Sequence, residues 1–242
     1  MKVLIVNFGG LCENIAATSV LKPLRDICEN PEITWVPGNK ESLRLLERND
    51  CIDRALMMDD LVLSQNRDFD LFINLHPSFD PADFESIQYH TAKGFGFDDN
   101  LNGICDAMQR DISSKMTYLQ AYFRLCGMRW SGNGYHINYH PRTKSKNNRA
   151  GLALANANLR DFIRNSVKTG VMKIWNIPRK QNVFKRIDEI NKCSHIITDD
   201  EFTAHVAISF RKYVHFLRIR NYGFKMEYFN NGQEYEVPAA LI

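Results

Sequence analysis

Apolar residues in the first half of the chain come in short blocks separated by polar stretches. Val3-Leu4-Ile5-Val6-Asn7-Phe8 reads as a buried strand, and Ile15, Val20, Leu21, Leu24 and Ile27 then recur at helical spacing. Residues 33–36 predict a second strand, 41–48 a short helix, and 71–75 another strand opened by the charged run Asp68-Phe69-Asp70. A long helix is expected around 112–126 and a strand over 135–139. Pro23 lies inside the first helical pattern and predicts a kink or early turn. Strands alternating with helices in this way imply a parallel sheet with helices on both faces.

The run 141–149, Pro141-Arg142-Thr143-Lys144-Ser145-Lys146-Asn147-Asn148-Arg149, is polar, basic and free of apolar residues, as a linker would be. Beyond it the pattern restarts. Residues 151–154 predict a short strand, 185–190 part of a helix, and 195–198 a strand that ends in Asp199-Asp200. A helical pattern (Phe202, Val206, Ala207, Phe210) begins at once, followed by a strand over 213–217. The tail 224–237 holds Asn230-Asn231-Gly232 between alternating apolar and polar residues, a hairpin signal. The expected organisation is an N-terminal domain over 1–140, a basic linker over 141–149, and a C-terminal domain over 150–242 ending in a hairpin.

With 242 residues, 44% of them hydrophobic, the chain can bury one large core or two small ones. It holds no run of 18 apolar residues, so no membrane-spanning helix is expected, and its opening is too short an apolar stretch for a signal peptide. Six scattered cysteines without a C-x-x-C pair predict reduced thiols and a cytoplasmic setting, with no zinc site. The net charge of +3 conceals an asymmetry: 12 Lys+Arg against 19 Asp+Glu in 1–128, and 19 against 9 in 129–242. The basic half is expected to face an anion, although the two halves could also attract each other.

Two stretches carry candidate chemistry. DEFTAH, Asp200 to His205, lies where a strand gives way to a helix, the place where an open α/β sheet binds ligands and where free helix N–H groups favour an anion such as a diphosphate. The loop Asn7-Phe8-Gly9-Gly10-Leu11-Cys12-Glu13-Asn14 follows the first strand, and its two glycines allow close approach to a ligand. It is neither G-x-G-x-x-G nor a P-loop.

The opening MKVLIVNFGGLCENIAATSVLKPLR resembles that of the glycosyltransferase family 9 enzymes, the ADP-heptose:lipopolysaccharide heptosyltransferases. Residues 32–36 look like that family's second strand, Asn49-Asp50-Cys51-Ile52-Asp53 like the turn after it, and Phe69-Asp70-Leu71-Phe72-Ile73-Asn74-Leu75 like its D-L-x-I-N-L strand. The stretch from Ile190 through Asp200, His205 and Ala207 resembles the family's "D-[ST]-G-x-x-H-x-A" region. The resemblance covers roughly 1–80 and 185–217. It implies an α/β protein of GT-B type, two Rossmann-like domains with a cleft between them, the C-terminal one reduced.

The resemblance also implies roles. Glu13 stands where the family has its catalytic Asp, the base that takes the acceptor proton in an inverting transfer; the alternative is a helix-start acid favoured by the macrodipole. Gly9, Gly10 and Asn14 would shape the acceptor side. Asp200, Glu201, Thr203 and His205 would bind the donor diphosphate, although Glu201 and Phe202 replace the family's [ST]-G pair; His205 could instead be an interior histidine. Arg160 and Lys173 lie in the region that supplies a diphosphate-neutralising cation, while Arg179, Lys180, Lys185 and Arg186 form a second basic group or a solvated helix face. No cofactor or metal is expected. The implied partners are a nucleotide-diphospho-sugar and an anionic acceptor, a phosphorylated lipopolysaccharide-core-type glycan. The alternatives are a hydroxymethylated pyrimidine in DNA, for which the basic, aromatic stretch 218–225 would supply stacking and phosphate contacts, and a binding module without turnover.

Overall fold

The computed structural model describes residues 1–63, 69–76, 93–96, 116–166, 172–179, 182–218 and 226–237. They fall into two compact units, one up to Tyr139 and one from His140 onward.

In the first unit β1 (Lys2–Asn7), β2 (Glu32–Pro37), β3 (Arg54–Ala55), β4 (Leu71–Asn74) and β5 (Lys93–Gly96) form one parallel sheet in the order β3-β2-β1-β4-β5. This 3-2-1-4-5 order is that of the dinucleotide-binding doubly wound sheet without its sixth strand. Val3, Leu4, Ile5 and Val6 of β1 are fully buried, as a central parallel strand covered on both faces requires. Leu4 and Val6 pack with Val36, Phe69, Phe72 and Leu61, the last supplied by the helix at Met58–Leu63. Three helices precede that one: α1 (Leu11–Ala17), α2 (Leu21–Ile27) and α3 (Lys40–Leu46), which makes Met58–Leu63 α4. Between α1 and α2 the chain tightens into a 3₁₀ turn, Thr18–Val20, just ahead of Pro23, whose ring and missing N–H would break a regular helix there.

Helix α5 (Tyr118–Leu125) begins with a capping box: Thr117 Oγ1 accepts from Gln120 N, and Gln120 Oε1 accepts from Thr117 N. The earlier part of the helix expected from 112 lies outside the described residues. The strand expected over 135–139 is not formed. Its backbone is satisfied by side chains instead: His136 N donates to Thr18 Oγ1 (3.0 Å) and His136 O accepts from Asn49 Nδ2 (2.6 Å), which leaves no ladder to join.

The second unit has β6 (Lys146–Ala153), β7 (Lys173–Asn176), β8 (Cys193–Thr198), β9 (Tyr213–Arg218) and β10 (Gly232–Glu236), parallel and ordered β10-β9-β8-β6-β7. Counted from β7 this is the 2-1-3-4-5 order of the other common doubly wound sheet. The helices are α6 (Ala157–Ser166), α7 (Val183–Asn191) and α8 (Glu201–Ser209).

Two expectations are corrected here. Lys146–Arg149, read as linker, is the start of β6; its residues are polar because this end of the strand is exposed. The rest of that run is tied down, with Arg142 N donating to Asp188 Oδ1 and Asn191 Nδ2 donating to Thr143 O. Among the described residues the terminal hairpin is also not formed: 226–231 before the Gly is not a strand, and β10 pairs with β9 in parallel. Asn-Asn-Gly does mark a turn, with Phe229 and Asn230 at φ 47° and 66° and Asn231 N donating to Tyr228 O (2.7 Å). A left-handed turn does not dictate which strand the following segment joins. Of the basic, aromatic stretch 218–225 only Arg218 lies among the described residues.

Candidate active site

Doubly wound sheets open a crevice at the carboxyl ends of the strands where the strand order reverses. That point falls between β1 and β4 in the first unit and between β6 and β8 in the second. Most of the described residues singled out by sequence gather at these two edges; Lys180 lies outside the described residues.

At the first edge the loop after β1 is held from within. Asn14 Nδ2 donates to the carbonyls of Gly9 and Gly10 (2.9 Å each), and Asn14 Oδ1 accepts from Trp35 Nε1 (3.0 Å). Asn7 Oδ1 accepts from Gly9 N (3.1 Å). Asn14 is wholly buried, and its bonds hold the loop in shape. The glycines are needed for space. A Cβ on Gly9 would lie 2.6 Å from Glu13 Cβ, and one on Gly10 would lie 3.0 Å from Glu13 Oε2. Glu13 itself is half-buried in the first turn of α1, and its Oε2 accepts from the Cys12 thiol (2.8 Å).

Sequence reasoning missed His76, two residues beyond β4, whose backbone N–H bonds to Asn74 Oδ1 (3.1 Å). Burial pushes its imidazole below the usual histidine range, and the Glu13 carboxylate opposes that shift. Carboxylate and imidazole therefore act on each other. The available signal was that His76 follows the strand across the reversal point from the glycine loop.

At the second edge Asp200 caps α8. Its Oδ2 accepts from Thr203 N (2.7 Å) and Thr203 Oγ1 (2.6 Å), and it also pairs with the Arg186 guanidinium. Arg186 further reaches Thr203 Oγ1 (2.6 Å) and lies over the Phe202 ring at 4.7 Å. Arg179, just past β7, bridges Asp199 and Asp200 at 3.2 Å each. Asp199 accepts from Ala155 N, which ties the loop after β6 to that after β8. Burial raises the Asp199 carboxyl, while the Ala155 bond and Arg179 counter it.

These contacts change several assigned roles. Thr203 and His205 are fully buried in the first turns of α8, and burial lowers the His205 imidazole to about 3. The Asp200 carboxylate is occupied by the cap and the two arginines. Phe202 is buried with its ring against the Arg186 guanidinium, and Glu201 is half-buried within electrostatic reach of Arg218. Arg160 does reach this edge, its Nη2 donating to Leu154 O (2.8 Å). Lys173 does not: it opens β7, at the opposite end of the parallel sheet from Asp200. Arg186 is buried, which excludes a solvated helix face for it.

His205 predicts a pH dependence. In the unfolded chain its imidazole titrates near the ordinary 6.5, in the folded chain near 3, so the unfolded state binds the extra proton between those values. Its contribution to stability is complete above about pH 6.5 and is lost as pH falls toward 3, at up to about 1.4 kcal/mol per pH unit. Urea midpoints measured at about pH 7 and about pH 5 should fall further for the wild type than for His205→Leu. Parallel losses would show that His205 is not the group responsible.

No family model and no curated protein matches the sequence. Solved structures do match. A glycosyl transferase family 9 protein from Veillonella parvula superposes with a TM-score of 0.69 at 16% identity, over 98% of this chain and 86% of that one. E. coli heptosyltransferase WaaC, solved with ADP-2-deoxy-2-fluoro heptose, gives 0.66 at 11% identity, over 98% and 94%. E. coli ADP-heptose lps heptosyltransferase II gives 0.67 at 12%, over 99% and 91%. Two parallel α/β sheets, superposing on these chains over almost their full length, give this protein the GT-B fold of the family 9 glycosyltransferases.

Proposed function

We propose that the chain is an inverting glycosyltransferase that moves a sugar from a nucleotide-diphospho-sugar to a hydroxyl of a phosphorylated, glycan-type acceptor. The observation that carries this is the Glu13 carboxylate, set beside two glycines and His76 at the reversal point of a sheet whose fold is that of heptosyltransferases. The carboxylate takes the acceptor proton as the hydroxyl oxygen attacks the anomeric carbon. The bond from that carbon to the diphosphate breaks, and the leaving nucleoside diphosphate gains charge. Burial lowers the His76 imidazole while the Glu13 carboxylate opposes that shift, so the two groups are electrostatically coupled beside the acceptor.

The second unit supplies the donor site. Glu201 and Phe202 begin α8 and offer first-turn N–H groups, while Arg160 and the half-exposed Arg179 supply positive charge for the diphosphate. Asp199 and Asp200 hold Arg179 in place. An ADP-sugar is the first donor to try, because WaaC was solved with one. For the DNA alternative, the Arg218 side chain is only 10% exposed and pairs with Glu234, so it presents little charge to a duplex.

This assignment predicts the outcome of an ADP-binding titration. Arg160→Ala should weaken ADP binding by about tenfold or more, the loss of one charge-assisted contact, while Lys173→Ala should leave it unchanged. Equal effects from the two variants would remove Arg160 from the donor site.

A further inference from the structure

Asp50, Cys51 and His136 each present a metal-ligand atom, and the three atoms lie within 4.8 Å of one another. None of them belongs to the machinery of the proposed transfer. Asp50 and Cys51 lie in the turn between α3 and β3, and His136 comes from the irregular segment that replaces the expected strand over 135–139.

The protein holds these two segments together independently of the three side chains. Asn49 Oδ1 accepts from Cys51 N (3.0 Å), and Asn49 Nδ2 donates to His136 O (2.6 Å). Arg25 Nε donates to Cys51 O (3.0 Å), and Thr18 Oγ1 accepts from His136 N (3.0 Å). His136 Nε2 already lies 2.6 Å from Asp50 Oδ1. A tetrahedral ion with Zn–N and Zn–S bonds of about 2.0–2.3 Å spaces its donors roughly 3.3–3.8 Å apart. The Asp50–His136 pair stands closer than that, and all three donors lie within 4.8 Å of one another, so modest side-chain movement reaches this range. Cys51 is buried while the Asp50 side chain is 63% exposed, so the cluster is reached from solvent on the Asp50 side. Thiolate, imidazole and carboxylate together suit zinc-class ions rather than calcium or magnesium.

We propose that Asp50, Cys51 and His136 bind one divalent ion of the zinc class, which staples the segment before Tyr139 to the α3–β3 turn. The sequence predicted no metal because its cysteines show no ligand spacing; the donors meet only through the fold.

The test uses the full chain, stripped of metal with a chelator and titrated with Co²⁺. The expected result is one equivalent bound, with a thiolate-to-cobalt charge-transfer band that Zn²⁺ abolishes by displacement. Cys51→Ser should lose the band and Cys28→Ser should keep it. Asp50→Asn, at an exposed position that does not threaten folding, should weaken Co²⁺ binding about 10- to 100-fold. Zn²⁺ should raise the Tm of the wild type and not that of Cys51→Ser. Absence of the band in the wild type, its survival in Cys51→Ser, or unchanged affinity in Asp50→Asn would overturn the proposal.

Discussion

Replacing Glu13 with Gln is expected to lower sugar transfer by about 10²- to 10⁴-fold, the range for loss of a positioned general base, while ADP affinity stays unchanged. The substitution preserves shape, keeps an acceptor for the Cys12 thiol, and leaves the glycine loop free of new contacts. Only the ability to take a proton is lost. Gly9→Ala should reduce transfer by another route, since its Cβ would fall 2.6 Å from Glu13 Cβ and 2.9 Å from Asn7 Oδ1, forcing the loop and the carboxylate to move. Misplacement of a catalytic group by about 1 Å is enough to cost rate. Full activity in Glu13→Gln would reduce Glu13 to a helix-start acid.

Asp200→Ala is expected to destabilise the fold by about 3–5 kcal/mol, the cost of stripping one partner from a buried ion pair. The loss has two parts. The Thr203 N–H at the start of α8 loses its cap, and the Arg186 guanidinium, with a side chain only 10% exposed, loses its carboxylate. Arg179 adds less because it is more exposed and keeps Asp199. Asp200→Asn should recover part of the loss by restoring the cap without the charge. Urea unfolding reads both, and a loss below about 1 kcal/mol for Asp200→Ala, the scale of a cap alone, would show that the arginine pair carries no net stability.

The legible parts of the fold were those in which burial leaves a continuous apolar run. β1, β2, β4, β8 and β9 each lie inside their sheets and read as strands directly. β7 (Lys-Ile-Trp-Asn) escaped because an edge strand of four residues needs few apolar positions, and β5 (Lys-Gly-Phe-Gly) for the same reason of length. β6 was cut short because its first residues are exposed and polar. The strand-to-helix junction at Asp199-Asp200 was legible from pattern alone. What Asp200 does there was not, since Arg179 and Arg186 look like surface basics until the fold brings them onto the same carboxylate. Asn14 and His205 show the converse: motif positions whose spacing suggests a ligand contact are fully buried, Asn14 within the bonds of its own loop and His205 inside α8.

The most direct measurement is turnover of an activated sugar. Wild-type protein incubated with ADP-heptose, other ADP-sugars or UDP-sugars, together with a phosphorylated lipopolysaccharide-core acceptor, is predicted to release nucleoside diphosphate in step with glycosylated acceptor, with the anomeric configuration inverted. Glu13→Gln is predicted to bind the nucleotide and release almost none. Nucleotide binding by the wild type with no release from any of these donors would contradict the account and leave a binding module in place of an enzyme.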